Sequence, residues 1–180
     1  MSAVKIKVSG PVAPTQGQTT RDIMTTIHRI SNDQYAQLFN ENSKVELVEG
    51  IIYDKMNVGD AHIRAVNKLN QLFAPLWDRY TISIQCPIKW QDNEPEPDVA
   101  IYRPCDRQTP EHCELVIEVA DSTLHHDRTV KVPAYLSQGL EAWIVNLPES
   151  KIEIYRPGED RQNVQSVEAL GITIDVNALS

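Results

Sequence analysis

The chain has 180 residues, 41% of them hydrophobic and 23% charged, which is typical of a soluble globular protein with one sizeable core. No apolar stretch reaches the roughly 18 residues that a transmembrane helix needs, and the first ten residues lack the apolar core of a signal peptide. The three cysteines form no CxxC pair and no even disulfide set. We therefore expect a cytoplasmic protein and exclude the membrane and secreted classes.

The net charge of −8 bears on the partner. Nucleic-acid-binding proteins usually present a basic surface, because phosphate contacts supply most of their non-specific affinity. An acidic chain indicates either that the partner is not a nucleic acid or that the carboxylates collect around a bound cation. A zinc site from Cys105, His112 and Cys113 is conceivable, but their spacing matches no common pattern and indicates buried or incidental thiols.

The N-terminal third predicts a tail, a helix and a hairpin. Residues 1–22 have the Pro-, Gly- and Gln-rich composition of a flexible tail, and residues 23–180 are expected to form a single domain. Ser31 is predicted to cap a helix over residues 32–40, with Tyr35 and Leu38 facing inward. Two strands within residues 44–56 are predicted to turn at positions 49 and 50, with Glu46 on the face opposite its apolar neighbours.

The middle of the chain predicts a helix followed by short strands. Residues 60–78 have a helical apolar period, with His62 in the first turn and Pro75 ending or kinking the last; its apolar positions are Ile63, Val66, Leu69, Leu72, Phe73 and Leu76. Strands are predicted over residues 81–84, 87–90 and 98–102. The acidic loop before Asp98, with Asp92, Glu94 and Glu96, is predicted to be solvated.

A short β-branched run at residues 115–119 contains one carboxylate, Glu118, and is followed by a segment with helical spacing. On that segment Asp127, Lys131 and Tyr135 recur every four residues and therefore share a face. The helix is predicted to begin near residue 129 or 130, which leaves Pro133 close to the first turn. Further strands are predicted over residues 141–146, 151–156 and 171–176. The order predicts an α/β fold, with a central mixed β-sheet flanked by α-helices and with Asp98 and Glu118 on neighbouring strands.

Two carboxylates on adjacent strands can hold one hard divalent cation such as Mg²⁺, with water in its other positions. Such an ion makes hydroxide available near neutral pH and offsets phosphate charge. Lys131 is the candidate to orient the attacking water or stabilise the developing anion. Glu46 is the candidate to complete the metal shell or to hold a second ion if its strand lies beside the other two.

These residues resemble the Uma-two family of restriction-endonuclease-like proteins, within the PD-(D/E)XK nuclease superfamily. The resemblance covers nearly everything after the tail and depends on Glu46–Gly50, His62, Pro97-Asp98, Ile117-Glu118-Val119, Asp121-Ser122-Thr123, Asp127, Lys131, Tyr135, Gly139 and Glu141–Val145. It implies a restriction-endonuclease-like core, a divalent metal (Mg²⁺, with Mn²⁺ as a substitute) and a homodimer.

The resemblance also assigns roles. Asp98 matches the aspartate of the PD element, and Glu118 matches the acid of the (D/E)XK element. Ala120 stands where the general motif has lysine, and Lys131 matches the family's lysine on the following helix. Glu46 matches an early glutamate of the family. His62 matches a frequent histidine of the family.

We expect a metal-dependent endonuclease that acts on DNA, with RNA as the alternative substrate. Asp98 and Glu118 are expected to bind the metal with the backbone carbonyl of Val119, Lys131 to position water, and Glu46 to support the metal shell. A structural Glu118–Lys131 ion pair is the main alternative for the site. For the whole protein the alternative is a non-catalytic dimeric interaction protein that keeps the nuclease fold.

Several neighbouring residues receive supporting or structural interpretations. Asp127 is predicted to be a helix N-cap rather than a ligand. Tyr135 is interpreted first as a packing residue, and His62, His125 and His126 as surface residues or neighbours of the ligands. Asp98 by itself would fit the start of a strand in a solvated loop. His62, Asp127 and Tyr135 are the candidates to support the residues that bind the metal.

Overall fold

A six-stranded mixed sheet organises the chain in the computed structural model, which describes residues 28–40 and 42–179. The spatial order is β3-β4-β5-β6-β7-β8, and β5 and β6 are parallel while the other neighbours are antiparallel. The strands are β3 (Thr81–Ile84), β4 (Val99–Tyr102), β5 (Cys113–Ala120), β6 (Ala142–Asn146), β7 (Lys151–Tyr155) and β8 (Gln162–Val164). The predicted central mixed sheet with flanking helices is confirmed.

Each face of the sheet has its own apolar core. One face packs against α2 (Asp60–Phe73) and α5 (Val176–Leu179) through Val99, Ile117 and Val145. The opposite face packs against α4 (Val132–Ser137) through Ala100, Val116 and Ile144. Because side chains alternate along a strand, Glu118 and Glu153 lie on the face that α4 covers.

The N-terminal hairpin forms as predicted. Strands β1 (Val45–Val48) and β2 (Ile51–Asp54) pair antiparallel in a sheet of their own, separate from β4 and β5. Both turn residues have positive φ, 50° at Glu49 and 74° at Gly50. A Cβ at Gly50 would lie 2.9 Å from the Cβ of Arg29, so glycine is required there.

The helix α1 (Asn32–Leu38) begins at a capping box made by Ser31 and Gln34, as a helix cap there predicts. Tyr35 is buried, but Leu38 is 66% exposed and the prediction that it faces inward was wrong. In α2, Ile63 belongs to the helical apolar period but is 45% exposed. A one-turn 3-10 helix (Ala74–Leu76) containing Pro75 ends α2, as the proline predicts.

The helical segment after β5 begins earlier than predicted. It consists of α3 (Leu124–His126), a π-helical turn (Asp127–Lys131) and α4 (Val132–Ser137). Asp127 is therefore inside the segment and is not an N-cap, contrary to the prediction. Pro133 lies at the start of α4 rather than of the whole segment, where its missing N–H is tolerated.

Three further segments complete the described chain. No strand forms over the predicted residues 87–90, because Ile88 and Trp90 donate their backbone N–H groups to a local loop, to Pro95 and Asn93. A 3-10 turn (Pro110–His112) precedes β5, and an additional hairpin of β9 (Ser166–Ala169) and β10 (Ile172–Asp175) follows β8. The predicted tail, residues 1–22, lies outside the described residues. No helix within residues 28–40 and 42–179 is long and apolar enough to cross a membrane.

Candidate functional site

Asp98 and Glu118 face each other across neighbouring strands. Val99 pairs with Ile117 in the antiparallel register of β4 and β5, so Asp98, one residue earlier, is level with Glu118. The two residues are 8% and 2% exposed. Asp98 is therefore not part of a solvated loop, and its Oδ2 accepts a hydrogen bond from the backbone N–H of Val119 at 2.7 Å.

His62 bridges two of the predicted metal ligands. Its Nδ1 lies 2.8 Å from the carbonyl oxygen of Val119, and its Nε2 lies 2.9 Å from Oδ1 of Asp98. A carbonyl can only accept, so Nδ1 carries a proton; Nε2 faces a carboxylate but lacks good hydrogen-bond angles, and its contact is an ion pair. Burial lowers the pKa of His62, but the close contact with Asp98 and the charge of that carboxylate outweigh it, and the pKa is raised. Of the two positions expected for His62, the structure shows the one beside the predicted ligands and not the one at the surface.

Lys131 reaches the centre of the site from the π-helical turn. Its Nζ lies 2.8 Å from Oε1 of Glu118, 2.8 Å from the backbone carbonyl oxygen of Glu96 and 3.6 Å from Oε2 of Glu46. Burial lowers the pKa of the ammonium, but Glu118, Glu46 and further carboxylates outweigh burial and raise it. Lys131 is therefore a charged hydrogen-bond donor at neutral pH and not a general base.

Glu118 has two donors on a single oxygen. Its Oε1 accepts from Lys131 and also from the Tyr135 hydroxyl, at 2.7 Å. Burial raises the pKa of Glu118, and the charges of Asp127 and Asp98 raise it further against the opposing effect of Lys131. Tyr135 packs against Trp90, as its apolar setting predicts, and in addition it supports a candidate ligand.

Glu46 reaches the site from the separate hairpin. Its Oε1 accepts from Nε2 of His126 at 2.9 Å, and its Oε2 accepts from the backbone N–H of Glu96 at 3.1 Å. Burial raises the pKa of Glu46, but Lys131 and these hydrogen bonds lower it to about 2. The ring of His126 also meets the ring of Tyr53 edge-on at 4.9 Å.

His126 was expected either at the surface or beside the ligands, and its contact with Glu46 places it beside them. The acidic loop before Asp98 was predicted to be solvated, but Glu94 and Glu96 are partly buried and only Asp92 fulfils that prediction. Glu96 also pairs with Lys55, so this loop is a structural wall of the site.

Asp127 lies beside the site without a direct contact to Asp98 or Glu118. Its Oδ2 accepts from the Thr123 hydroxyl at 2.7 Å. Burial raises its pKa, and the lowering effects of Lys131 and Thr123 do not fully offset burial. The side chain is a fourth carboxyl group beside Asp98, Glu118 and Glu46, and its surroundings disfavour the ionised form.

These groups line a cavity of about 110 Å³. Its charged lining comprises Glu46, Asp54, Lys55, His62, Glu96, Asp98, Glu118, His126, Asp127 and Lys131. Burial is the main reason why the pKa of Glu118 is raised although Lys131 touches it, and the carboxylates, which outnumber the ammonium groups there, add to that effect. A divalent cation would correct this imbalance, and the oxygen-rich donor set suits Mg²⁺ or Mn²⁺.

The side chains as placed offer a divalent ion two carboxylates rather than a closed cage. No group of three His, Cys, Asp or Glu residues converges on one point within the described part of the chain. Mg²⁺ is commonly held by one or two carboxylates, with water and substrate phosphate completing its shell. Asp98 and Glu118 fit that pattern, whereas the third predicted ligand, the carbonyl of Val119, already accepts from His62.

Comparisons with known proteins agree with the fold. A family model described as "Uma2: Putative restriction endonuclease" matches residues 32–179. A crystal structure described as a "putative nuclease belonging to DUF820" from Anabaena variabilis has a TM-score of 0.68 and 14% sequence identity, covering 83% of this chain and 97% of that one. At that identity the likeness shows a shared fold. The comparison with curated proteins finds no match.

Proposed function

Because the chain belongs to the Uma2 family, described as restriction endonucleases, we propose that it is an Mg²⁺- or Mn²⁺-dependent endonuclease that hydrolyses phosphodiester bonds in DNA. One observation carries the proposal. Asp98 and Glu118 face each other on neighbouring strands, and the ammonium group of Lys131 lies 2.8 Å from Glu118 in the same small cavity. The excess of carboxylates over ammonium groups in that cavity supports the binding of a cation there.

Glu118 would hold the ion through Oε2, since Lys131 and Tyr135 both contact Oε1, and Asp98 would hold it through Oδ1, which His62 also contacts. When bound, a divalent ion lowers the pKa of a coordinated water and offsets the charge of the phosphate. The chain contributes by orienting the two carboxylates. His62 and the N–H of Val119 fix Asp98, while Tyr135 and Lys131 fix Glu118 through Oε1.

Lys131 acts as a charged donor. Its raised pKa keeps the proton on Nζ, so it can orient an attacking water or stabilise the anion that develops on the phosphate, but it cannot remove a proton. Glu46 and the carbonyl of Glu96 also contact the ammonium group. Three acceptors around one flexible side chain restrict it to a narrow range of positions.

One observation favours the alternative of a non-catalytic interaction protein. Lys131 contacts Glu118 at 2.8 Å, and both side chains are buried, as they would be in a structural ion pair. In that alternative His62, His126, Lys131 and hydroxyl groups compensate four carboxylates, those of Asp98, Glu46, Glu118 and Asp127. The two functions differ in whether the intact protein binds a divalent ion.

The test is calorimetric titration of the protein with Mn²⁺ and Mg²⁺, alone and with a short DNA duplex. The variants are Asp98→Asn and Glu118→Gln, and the matched control is Glu111→Gln, whose side chain is 76% exposed and does not line the cavity. Loss of binding in the two site variants, with binding kept in the control, supports the proposal. Absence of binding to the parent with and without duplex would establish the structural alternative.

The same samples are then assayed for cleavage of supercoiled plasmid and of a matched RNA. Cleavage of plasmid that requires Mn²⁺ or Mg²⁺ and is lost in Asp98→Asn supports a DNA endonuclease. Cleavage confined to RNA would contradict the DNA assignment while leaving the metal site intact. Equal cleavage by parent and Asp98→Asn would contradict the site.

A further inference from the structure

Two buried glutamates lie in one row across the sheet. Glu118 on β5 pairs with Ile144 on β6, and Ile144 pairs with Glu153 on β7. Residues directly opposite in a sheet point to the same face, and neighbouring strands are about 4.8 Å apart, so the two carboxylates stand on one face about 10 Å apart at the backbone. Only Glu118 of the two lines the cavity.

Glu153 is fully buried and surrounded by donors. Arg128 makes a bidentate contact with it: Nε donates to Oε2 at 2.8 Å, and Nη2 donates to Oε1. Asn146 donates to Oε1 at 2.9 Å, and the hydroxyl of Tyr155 donates to Oε2 at 2.8 Å. With both oxygens occupied by this set, Glu153 has no role as a metal ligand.

One helical turn connects the two glutamates. Arg128 and Lys131 both belong to the π-helical turn, and each pairs with one glutamate of the row, Arg128 with Glu153 and Lys131 with Glu118. A bidentate arginine–carboxylate pair fixes direction as well as distance, because the guanidinium is planar. A lysine has a flexible four-carbon stem and needs its backbone placed accurately to reach a defined point.

We propose that Arg128 and Glu153 form a positioning pair that holds the π-helical turn against β7 and thereby places Lys131 over Glu118. This inference rests on the proposed function, in which Lys131 acts on the water or the phosphate. Neither residue touches the reacting atoms. The turn type supports the assignment, since single π-turns within α-helices occur frequently at functional sites.

The test compares Arg128→Ala with Arg156→Ala. Arg156 also makes a two-pronged pair with a glutamate, Nε and Nη2 each at 2.9 Å from Glu141, and its side chain is 32% exposed against 29% for Arg128. It stands outside the cavity lining and outside the helical segment. The two substitutions therefore remove arginines of similar exposure from bidentate pairs with glutamate. The glutamates differ in burial, since Glu153 is fully buried and Glu141 is 27% exposed, and only the Arg128 pair holds the turn that carries Lys131.

Two readouts are taken. The first is the Mn²⁺-dependent cleavage rate, where Arg128→Ala is expected to lower kcat by on the order of 10²-fold, as a misplacement of about 1 Å does, with KM and Mn²⁺ affinity within a few-fold of the parent. The second needs no activity. It is the slowly exchanging ammonium signal of Lys131 in ¹H–¹⁵N spectra, identified by its absence in Lys131→Ala, and it should be lost in Arg128→Ala and kept in Arg156→Ala.

Equal kcat values and equal ammonium signals in the two alanine variants would overturn the positioning pair. If Arg128→Ala does not fold, Arg128→Lys replaces it, because lysine keeps the positive charge but cannot make the bidentate pair with Glu153. An ammonium signal and a kcat identical to those of the parent in Arg128→Lys would overturn the proposal. A parent protein without cleavage overturns the proposed function, and the ammonium signal alone then decides whether Arg128 positions Lys131.

Discussion

Glu118 and Glu153 are alike in burial, sheet face and row, yet their surroundings are opposite. Around Glu153 the donors of Arg128, Asn146 and Tyr155 outweigh burial and lower its pKa to about 2. Around Glu118 burial and the neighbouring carboxylates of Asp127 and Asp98 outweigh Lys131 and raise its pKa. Burial by itself therefore does not identify a functional carboxylate. The identifying feature is an excess of carboxylates over donors at one end of the row, in a cavity that admits a cation.

The largest expected effect comes from removing the ammonium group of Lys131, which contacts Glu118. Lys131→Ala should reduce metal-dependent cleavage by about 10²–10³-fold or more, the range for loss of one donor that acts in the transition state. Binding of Mn²⁺ should persist or strengthen, because Glu118 loses its competing ammonium group. Cleavage assays and calorimetry measure the two quantities, with Lys89→Ala, an exposed lysine paired with Glu94, as the control. Cleavage equal to that of the parent would contradict the assigned role.

The next effect is on the free energy of unfolding, which should respond differently to substitution of Glu153 and of Glu118. Glu153→Gln should lower the free energy of unfolding by about 1–3 kcal/mol, because it leaves donors of Arg128, Asn146 or Tyr155 without a charged acceptor. Glu118→Gln should be neutral or stabilising in the absence of metal, since it removes a charge that its surroundings disfavour. Urea unfolding in EDTA measures both changes. The reverse order of stabilities would contradict the contrast between the two sites.

The dependence of stability on pH should differ in sign between the two variants. The folded pKa of Glu153, about 2, is below its ordinary value of 4.5, so its stabilisation is complete above about 4.5 and is lost as the pH falls toward about 2. The stability difference between parent and Glu153→Gln should shrink over that interval. For Glu118 the folded pKa is above 4.5, so the ionised form costs stability that grows as the pH rises beyond 4.5. The gain from Glu118→Gln should therefore increase with pH, and a gain that is constant with pH would contradict the raised pKa.

Local sequence patterns predict the Glu118 end of the row and fail at the Glu153 end. Glu118 stands in a continuous apolar run, which predicts burial and hence a compensating partner. Glu153 stands in the alternating run Lys-Ile-Glu-Ile-Tyr, which is typical of a strand with one face in solvent. The helical segment covers that face, and the donors of Glu153 come from β6 (Asn146), from β7 itself (Tyr155) and from the π-helical turn (Arg128). A contact of that kind depends on sheet register and helix placement, which periodicity does not encode.

Contacts that depend on strand pairing and helix placement also account for the other differences between the predictions from the sequence and the structure. The spacing of Asp127, Lys131 and Tyr135 predicts one shared face and correctly brings Lys131 and Tyr135 to Glu118. Predicting the start of the helix from Pro133 placed it several residues late, since the segment begins at Leu124. The sequence left open whether His62 and His126 lie at the surface or beside the ligands, because the two partners of His62, Asp98 and the carbonyl of Val119, are brought to it by pairing of distant strands.

The smallest expected effect tests how Glu118 is oriented. Tyr135→Phe removes one hydrogen bond to Oε1 and keeps the ring that packs against Trp90. A single hydrogen bond contributes about 0.5–1.5 kcal/mol, so Mn²⁺ affinity should fall roughly two- to tenfold with little change in unfolding temperature. Tyr155→Phe removes the equivalent hydroxyl from Glu153 and is the matched control, because that carboxylate takes no part in metal binding. Equal loss of Mn²⁺ affinity in the two variants would show that the row acts as a unit, and that the donors around Glu153 reach the metal site through Arg128 and the π-helical turn.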